Sequence, residues 1–196
     1  MTTTYLVQHG EKESLPGEPG LTQAGRRQAT RAGQWLRGQG IRTLYSSPMR
    51  RAQETAECIA SVTGLPVQTD ARLRERLNWD GRQPFGAFLD LWARTTDDRD
   101  FVPPGGDSSR QAGARLMEFL ADLPAGPSPV AAVTHGGVTI DLLRDQLGDD
   151  ALPPHLLTAG VPPGAITAPP IPASPRSPPR RAPGWCRLRR PGSARR

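Results

Sequence analysis

Two histidines, an arginine and a glutamate could perform chemistry together if the fold brings them to one place. His9 follows a short apolar run at 5–7, and His135 follows another at 129–134. Arg51 comes after an apolar segment at 41–45, and Glu75 lies in a loop after a fourth segment at 67–69. An imidazole can attack phosphorus, cations can stabilise the equatorial oxygens, and a carboxylic acid can protonate the leaving oxygen. These four side chains therefore suit phosphoryl transfer.

The four apolar segments are predicted to be β-strands, because they are short, β-prone and bounded by glycine, serine or polar residues. Helical spacing and capping residues predict helices between them, which begin near Thr22, Pro48, Phe85, Ser108 (or Asp107) and Val138. Strands that alternate with helices predict an α/β fold, a three-layer α/β/α arrangement with a mostly parallel sheet. Residues 164–167 are the last segment predicted in the sheet. Ligands bind at the carboxyl ends of the strands in such folds, so the four polar side chains are expected to converge there.

A series of motifs follows the chain in order. They are Leu-Val-Gln-His-Gly-Glu at 6–11, Leu-Thr-Gln-Ala-Gly-Arg-Arg-Gln-Ala at 21–29, Ser-Ser-Pro-Met-Arg-Arg-Ala-Gln-Glu-Thr-Ala at 46–56, Leu-Arg-Glu at 73–75 with Trp-Asp-Gly at 79–81, Pro-Gly-Gly-Asp-Ser at 104–108, and Val-Thr-His-Gly-Gly at 133–137. Together they resemble the histidine phosphatase superfamily, whose fold is phosphoglycerate mutase-like. The resemblance covers residues 5–167.

The resemblance implies a role for each of the four polar side chains. His9 would be the nucleophile that forms a phosphohistidine, and Arg51 would grip the phosphoryl oxygens with its planar fork. His135 would be a second clamp on the same group. Glu75 would act as the general acid and then as the base that activates water. The resemblance implies no metal ion or other cofactor.

The residues beside His9 are expected to help bind the phosphate, but one of them departs from the family pattern. The family's usual arginine before the histidine is Gln8 here, and Gly10 follows. An amide offers two neutral donors in place of a charged fork. Arg74 and Lys12 are the candidates for a compensating positive charge. We therefore expect either slower turnover or a preference for a less charged phosphoryl group.

Other readings of these residues remain open at the level of sequence. Both histidines could be polar loop residues, and Arg51 could be a solvated helix residue. The neighbouring Arg50 is the alternative candidate for the phosphate-binding arginine. The Ser-Ser-Pro-x-x-Arg-Ala pattern selects Arg51. For the acid, Glu54, Glu57 and Asp80 are alternatives to Glu75.

The basic character of the chain belongs to its C-terminal segment. From Val161 onward there are eight arginines and no acidic residue, so the total of +6 leaves −2 for residues 1–160. Ten of these 36 residues are proline, which predicts a disordered tail at 168–196 after a catalytic domain at 1–167. A shifted reading frame and a genuine basic appendage would both give this composition. We expect no nucleic-acid interface on the folded part, because no basic cluster precedes the tail, and a nucleic-acid role of the tail itself is the third and least favoured functional hypothesis.

The remaining composition suggests a cytoplasmic protein. No signal-like N-terminal segment and no apolar run of about 18 residues is visible. The two cysteines, Cys58 and Cys186, form neither a disulfide framework nor a zinc site.

The leading functional prediction is a metal-independent phosphatase that acts on a small phosphorylated metabolite. The stretch at 73–81, which contains Glu75, resembles the family's acid loop. Family mutases carry a long insertion after this loop, whereas only about 25 residues separate Gly81 from Asp107, which favours hydrolysis. The apolar residues Phe85, Phe88, Leu91 and Trp92 of this segment are expected to form one wall of the cleft. Alternatives are a protein phosphohistidine phosphatase and a degenerate member that binds a phosphorylated ligand or a partner protein without turnover.

Overall fold

The computed structural model describes residues 3–124 and 129–169, which form five strands and six α-helices. The strands are β1 (Thr4–Gln8), β2 (Thr43–Ser46), β3 (Val67–Thr69), β4 (Val130–Thr134) and β5 (Ile166–Thr167). The helices are α1 (Gln23–Gly38), α2 (Arg50–Thr63), α3 (Phe85–Asp97), α4 (Ser109–Ala121), α5 (Gly136–Leu147) and α6 (Pro154–Ala159). No helix of the described part is both long and apolar enough to span a membrane.

The five strands form one sheet in the order β3-β2-β4-β1-β5. The first four strands pair in parallel, and β5 pairs antiparallel to β1 at the edge. β4 lies between β1 and β2, so the ends of these three strands are neighbours. The prediction of a mostly parallel sheet is confirmed.

Helices cover both faces of the sheet, because the central strands are apolar on both sides. Val7 and Val133 face one layer, formed by α1 and α2 around Leu36 and Ile59. On the opposite face, Leu6 and Ala132 pack with α4 and α5 through apolar residues that include Leu116, Phe119 and Leu142. The predicted three-layer α/β/α fold is confirmed, and the strand ends lie between two packed helical layers.

Two helices begin elsewhere than the sequence predicted. α2 begins at Arg50 rather than at Pro48, because the amide of Ser47 still donates to Val133 at 2.9 Å and the chain stays extended. α5 begins at Gly136 rather than at Val138, with His135 as its N-cap residue. The short helix α6 was not predicted; it has proline at its first position, a favourable residue there.

The predicted Pro/Arg-rich tail lies almost entirely outside the described residues, which end at 169. The division into a domain at 1–167 and a tail at 168–196 therefore stays a prediction.

Candidate active site

The carboxyl ends of β1 and β2 and the loop after β3 border a cleft of about 310 Å³. Three of the four expected residues line it, namely His9, Arg51 and Glu75. The fourth, His135, lies directly behind His9, with 5.2 Å between the two ring centroids. The structure thus brings together the four side chains that the sequence singled out.

The His9 ring is held with one nitrogen free of a proton. Its Nδ1 lies 2.8 Å from the carbonyl oxygen of Gly10, which can only accept, so Nδ1 carries the hydrogen. Nε2 therefore keeps a lone pair, and Arg51 Nε donates to it at 3.2 Å. Burial, and then the charge of Arg51, lower the pKa of His9 to about 3. His9 is a neutral imidazole near pH 7.

Arg51 presents its guanidinium from the first turn of α2. Besides its contact with His9, Nη1 donates to Asn78 Oδ1 at 3.2 Å and Nη2 approaches Met49 Sδ at 3.5 Å. Burial lowers the pKa of this guanidinium, while Glu75 and Glu18 raise it, and arginine stays charged in proteins. Sequence reasoning missed Asn78, because nothing marks it except its position three residues after Glu75.

His135 is completely buried at the end of β4. Its Nε2 lies 2.8 Å from Ser47 Oγ, and its Nδ1 has no hydrogen-bond partner among the described residues. Burial, followed by the charges of Arg51, His9 and Arg115, lowers the pKa of His135 well below its usual value. His135 is therefore also neutral near pH 7. The serine that orients it belongs to the predicted Ser-Ser-Pro motif.

Glu75 lies at the N-terminus of α5. Its two carboxylate oxygens accept the amides of Gly137 and Val138, both at 2.9 Å. A Cβ on Gly137 would lie 2.7 Å from Glu75 Oε1 and 2.6 Å from Trp92 Cη2, so glycine is needed there for close approach. These two amides fix the position of the Glu75 side chain at the edge of the cleft.

The alternatives to Glu75 lie elsewhere. Glu54 accepts the amide of Leu21 and pairs with Arg26 and Arg50, and it does not line the cleft. Glu57 is exposed on α2, and Asp80 pairs with the exposed Arg82. Among the carboxylates considered, Glu75 alone borders the cleft.

The structure does not bring the Gln8 side chain into the cleft. It is buried, its Oε1 has no partner among the described residues, and that oxygen lies 3.4 Å from where a Cβ on Gly136 would be. The amide is shorter than the guanidinium it replaces, and it ends beside the start of α5.

Gly10 has a structural place in this arrangement. Gly10 is expected to help bind the phosphate, and in the structure its amide donates to Thr55 Oγ1 at 3.0 Å. A Cβ on Gly10 would collide with the backbone carbonyl of Gly25 in α1. The observed reasons for glycine at this position are thus close packing and the carbonyl that orients His9.

Of the two cations proposed to replace the family arginine, the structure favours Lys12. Lys12 lines the cleft, and its amine donates to the carbonyl of Glu13 at 3.4 Å. Burial and the nearby Arg51 lower the pKa of this amine. Arg74 instead donates to both carboxylate oxygens of Asp107, at 2.7 and 2.8 Å, and does not line the cleft.

Apolar side chains form the outer part of the cleft. Most come from α3 and the acid loop, and they are Leu15, Pro19, Leu77, Trp79, Phe85, Phe88, Leu89 and Trp92. The expected wall is therefore present, but Leu89 rather than Leu91 faces the cleft, because it lies one helical turn from Phe85. Within residues 3–124 and 129–169, no group of three or more histidine, cysteine or acidic residues could hold a metal ion.

Comparison with known proteins agrees with this fold. The chain is 35% identical over 172 residues to the probable phosphoglycerate mutase GpmB of Yersinia enterocolitica, which covers 79% of this chain and 78% of that protein. A mycobacterial glucosyl-3-phosphoglycerate phosphatase, solved with VO3, has a TM-score of 0.68 and 27% identity, covering 85% of this chain and 91% of that one. YhfR of Bacillus stearothermophilus has a TM-score of 0.66 and 27% identity, covering 85% and 89%.

A family profile matches most of the chain. The profile of the histidine phosphatase superfamily, branch 1, matches residues 4–165, which include all four polar side chains of the cleft region. The chain therefore belongs to the histidine phosphatase superfamily and to its phosphoric monoester hydrolases.

Proposed function

We propose that the protein hydrolyses a small phosphomonoester without a metal ion, through a phosphohistidine at His9. One observation carries the proposal: Nε2 of His9 has its lone pair free of a proton and lies 3.2 Å from the cation of Arg51. A neutral imidazole is the nucleophilic form, and a fixed guanidinium beside it stabilises the charge of the phosphoryl oxygens.

In the first step, His9 Nε2 attacks phosphorus as the bond from phosphorus to the ester oxygen breaks. Glu75, in its protonated form, gives its proton to that oxygen, so the alcohol leaves neutral. In the second step, Glu75 accepts a proton from water, whose oxygen attacks phosphorus while the bond to Nε2 breaks. Inorganic phosphate leaves, and His9 is restored.

His135 is proposed to become charged only when phosphate is bound. Neighbouring positive charge and burial disfavour its protonation in the free protein. A phosphate dianion in the cleft would reverse the sign of the local potential and favour the imidazolium. The contact of Nε2 with Ser47 would then have to exchange for one with a phosphoryl oxygen.

Hydrolysis is proposed over phosphoryl transfer to a second substrate because the cleft is open to water. The segment over it consists mainly of α3, and Phe85 at its start is 51% exposed. Such a cover leaves the phosphohistidine within reach of water. The relative named as a phosphoglycerate mutase and the neighbour named as a phosphatase are compatible with the same first step.

The test is turnover of 4-nitrophenyl phosphate in the presence of a chelator. We expect the parent protein to hydrolyse 4-nitrophenyl phosphate and to form acid-labile phosphohistidine. The His9→Ala variant should do neither. Gln8→Arg should raise kcat, because one preorganised donor to a developing oxyanion is worth about 10²–10³ in rate.

Two results would contradict the proposal. Turnover that survives in His9→Ala would exclude His9 as the nucleophile. If the parent and Gln8→Arg both bind inorganic phosphate tightly but hydrolyse no 4-nitrophenyl phosphate, the chain would instead be a degenerate member that binds a phosphorylated ligand without turnover.

A further inference from the structure

The apolar wall of the cleft is a continuous row of rings. Trp79 and Phe85 lie 4.9 Å apart between centroids, Phe85 and Phe88 5.9 Å, and Phe88 and Trp92 6.1 Å. These separations are those of favourable aromatic pairs. The row starts in the acid loop, continues along α3 and reaches the residue that packs beside Glu75.

The first and last rings of this row are fixed by other contacts. Trp79 Nε1 donates to the carbonyl of Gln83 at 2.8 Å, and Trp92 lies under the Arg76 guanidinium at 4.0 Å. Arg76 is itself paired with the buried Asp141 at 2.7 Å and donates to Thr96 at 2.8 Å. The two ends of the row are therefore anchored, which makes the wall a preformed surface.

The arginine side chains near the wall already have partners. Arg76 pairs with Asp141, and Arg74 and Arg115 both pair with Asp107. Arg51 faces His9, where the phosphoryl group is proposed to bind. Among the described residues that line the cleft, this leaves Lys12 as the one further cation, and the missing family arginine makes it the candidate partner of the same phosphoryl group.

The size of the cleft and the exposure of its rim limit what it can hold. A volume of about 310 Å³ is at the lower end of the range for small-molecule sites, which is about 300–1,000 Å³. Leu15 and Leu89 on the rim are 56% and 47% exposed, so apolar surface there is still available to a ligand. A compact apolar group would cover it.

We propose that the alcohol portion of the substrate is an uncharged aromatic or similarly flat apolar group, and that carboxylate-bearing phosphates are poor substrates. This inference rests on the proposed function, because it assumes that the phosphoryl group binds at His9 and Arg51. A carboxylate on the alcohol portion would lie against aromatic rings and would find no cation there. The free-energy cost of removing it from water would therefore not be offset. The preference would separate this chain from relatives whose names specify phosphoglycerate.

The test compares 2-phenylethyl phosphate, glycerol 3-phosphate and 3-phosphoglycerate on the intact protein. All three are alkyl monoesters, so their leaving groups differ little in intrinsic reactivity and the comparison reports recognition. We expect kcat/KM for 2-phenylethyl phosphate to exceed that for glycerol 3-phosphate by about tenfold or more, from the apolar area that its ring buries. The value for 3-phosphoglycerate should be the lowest.

Variants of the wall give a second readout. Phe88→Ala should lower kcat/KM for 2-phenylethyl phosphate, mainly through KM, about tenfold more than it lowers kcat/KM for glycerol 3-phosphate. The matched control is Phe101→Ala, since Phe101 packs on Arg94 rather than in the cleft. It should leave the ranking unchanged.

The inference and the proposed function fail in different ways. If 4-nitrophenyl phosphate is hydrolysed but 3-phosphoglycerate is preferred to 2-phenylethyl phosphate, the inference is wrong and the function stands. If nothing is hydrolysed, the function is wrong, and calorimetric binding still decides the preference. Tighter binding of 3-phosphoglycerate than of 2-phenylethyl phosphate would then overturn the inference as well.

Discussion

His9 is buried in its neutral form, and this has a consequence for stability as well as for reactivity. A histidine in an unfolded chain has a pKa of about 6.5, whereas burial and Arg51 lower the pKa of folded His9 to about 3. Between these values the unfolded chain binds one more proton than the folded protein. The contribution of His9 to the free energy of unfolding therefore decreases as the pH falls from about 6.5 towards 3, and it is fully present above that window.

The first prediction isolates this effect with His9→Gln. Below about pH 6, the free energy of unfolding of the parent should fall with pH more steeply than that of the variant, by up to about 1.4 kcal/mol per pH unit. Urea unfolding at pH 7, 6, 5 and 4 measures both slopes. Only the difference is informative, because burial raises the pKa of Asp141 to about 6 and its titration acts in the opposite direction. Parallel slopes would show that His9 titrates normally.

Lys12 is the second residue whose role can be tested alone. It borders the cleft beside Arg51, whereas the Gln8 amide stops short of the cleft. If Lys12 supplies the charge of the missing arginine, Lys12→Met should lower kcat/KM on an aryl phosphate by about 10²-fold, and Lys12→Arg should recover most of it.

A double-variant cycle separates compensation from simple attraction of anions. In a Gln8→Arg background, Lys12→Met should cost less than in the parent, because the new guanidinium takes over the same charge. Equal losses in both backgrounds would mean that Lys12 and position 8 act independently.

At the scale of elements, local signals predicted most of the framework. Thr22 and Ser108 cap α1 and α4 as expected, with Ser108 forming a reciprocal capping box with Gln111. The strands were found because apolar runs end at turn residues, and His9 and His135 could be placed at their ends. These signals are local in the chain, and single sequences carry them well.

Features that depend on distant parts of the chain were not predictable. The amides of Gly137 and Val138 donate to Glu75, which lies 62 and 63 residues earlier in the chain. No local sequence pattern predicts these contacts. The same close approach accounts for the glycine at 137, whereas at Gly136 a Cβ would lie 3.0 Å from the backbone of Val161. The position of the Gln8 side chain likewise depends on how closely α5 approaches β1.

The start of α5 gives the prediction at this scale. Gly137→Ala places a methyl group where Glu75 and Trp92 now approach, so it should lower kcat/KM on an aryl phosphate by more than about tenfold. Gly38→Ala is the matched control, since a Cβ at that helix end meets nothing within 4 Å. It should leave activity unchanged and alter stability by less than about 1 kcal/mol. Full activity in Gly137→Ala would show that Glu75 need not sit at this helix terminus.

For the whole molecule, the segment that matches the family profile and the described fold cover nearly the same residues, and the arginines of the basic tail lie beyond both. The matched segment ends at residue 165, and the last described strand, β5, ends at Thr167. The chain up to residue 160 carries a formal charge of −2, while the eight arginines lie beyond it. Catalysis and any attraction to polyanions are thus expected to belong to different parts of the chain.

Removal of residues 170–196 tests this division. The shortened chain should keep its thermal midpoint within about 3 °C of the parent, a difference equivalent to about 1 kcal/mol, and its kcat/KM on an aryl phosphate within about twofold. Any binding of duplex DNA by the parent should weaken steeply with salt and be lost on truncation, because it would rest on counterion release by the tail arginines. Salt-dependent binding that persists in the shortened chain would place a nucleic-acid surface on the folded part, against the charge distribution described above. Loss of folding or activity instead would show that the segment after β5 belongs to the catalytic domain.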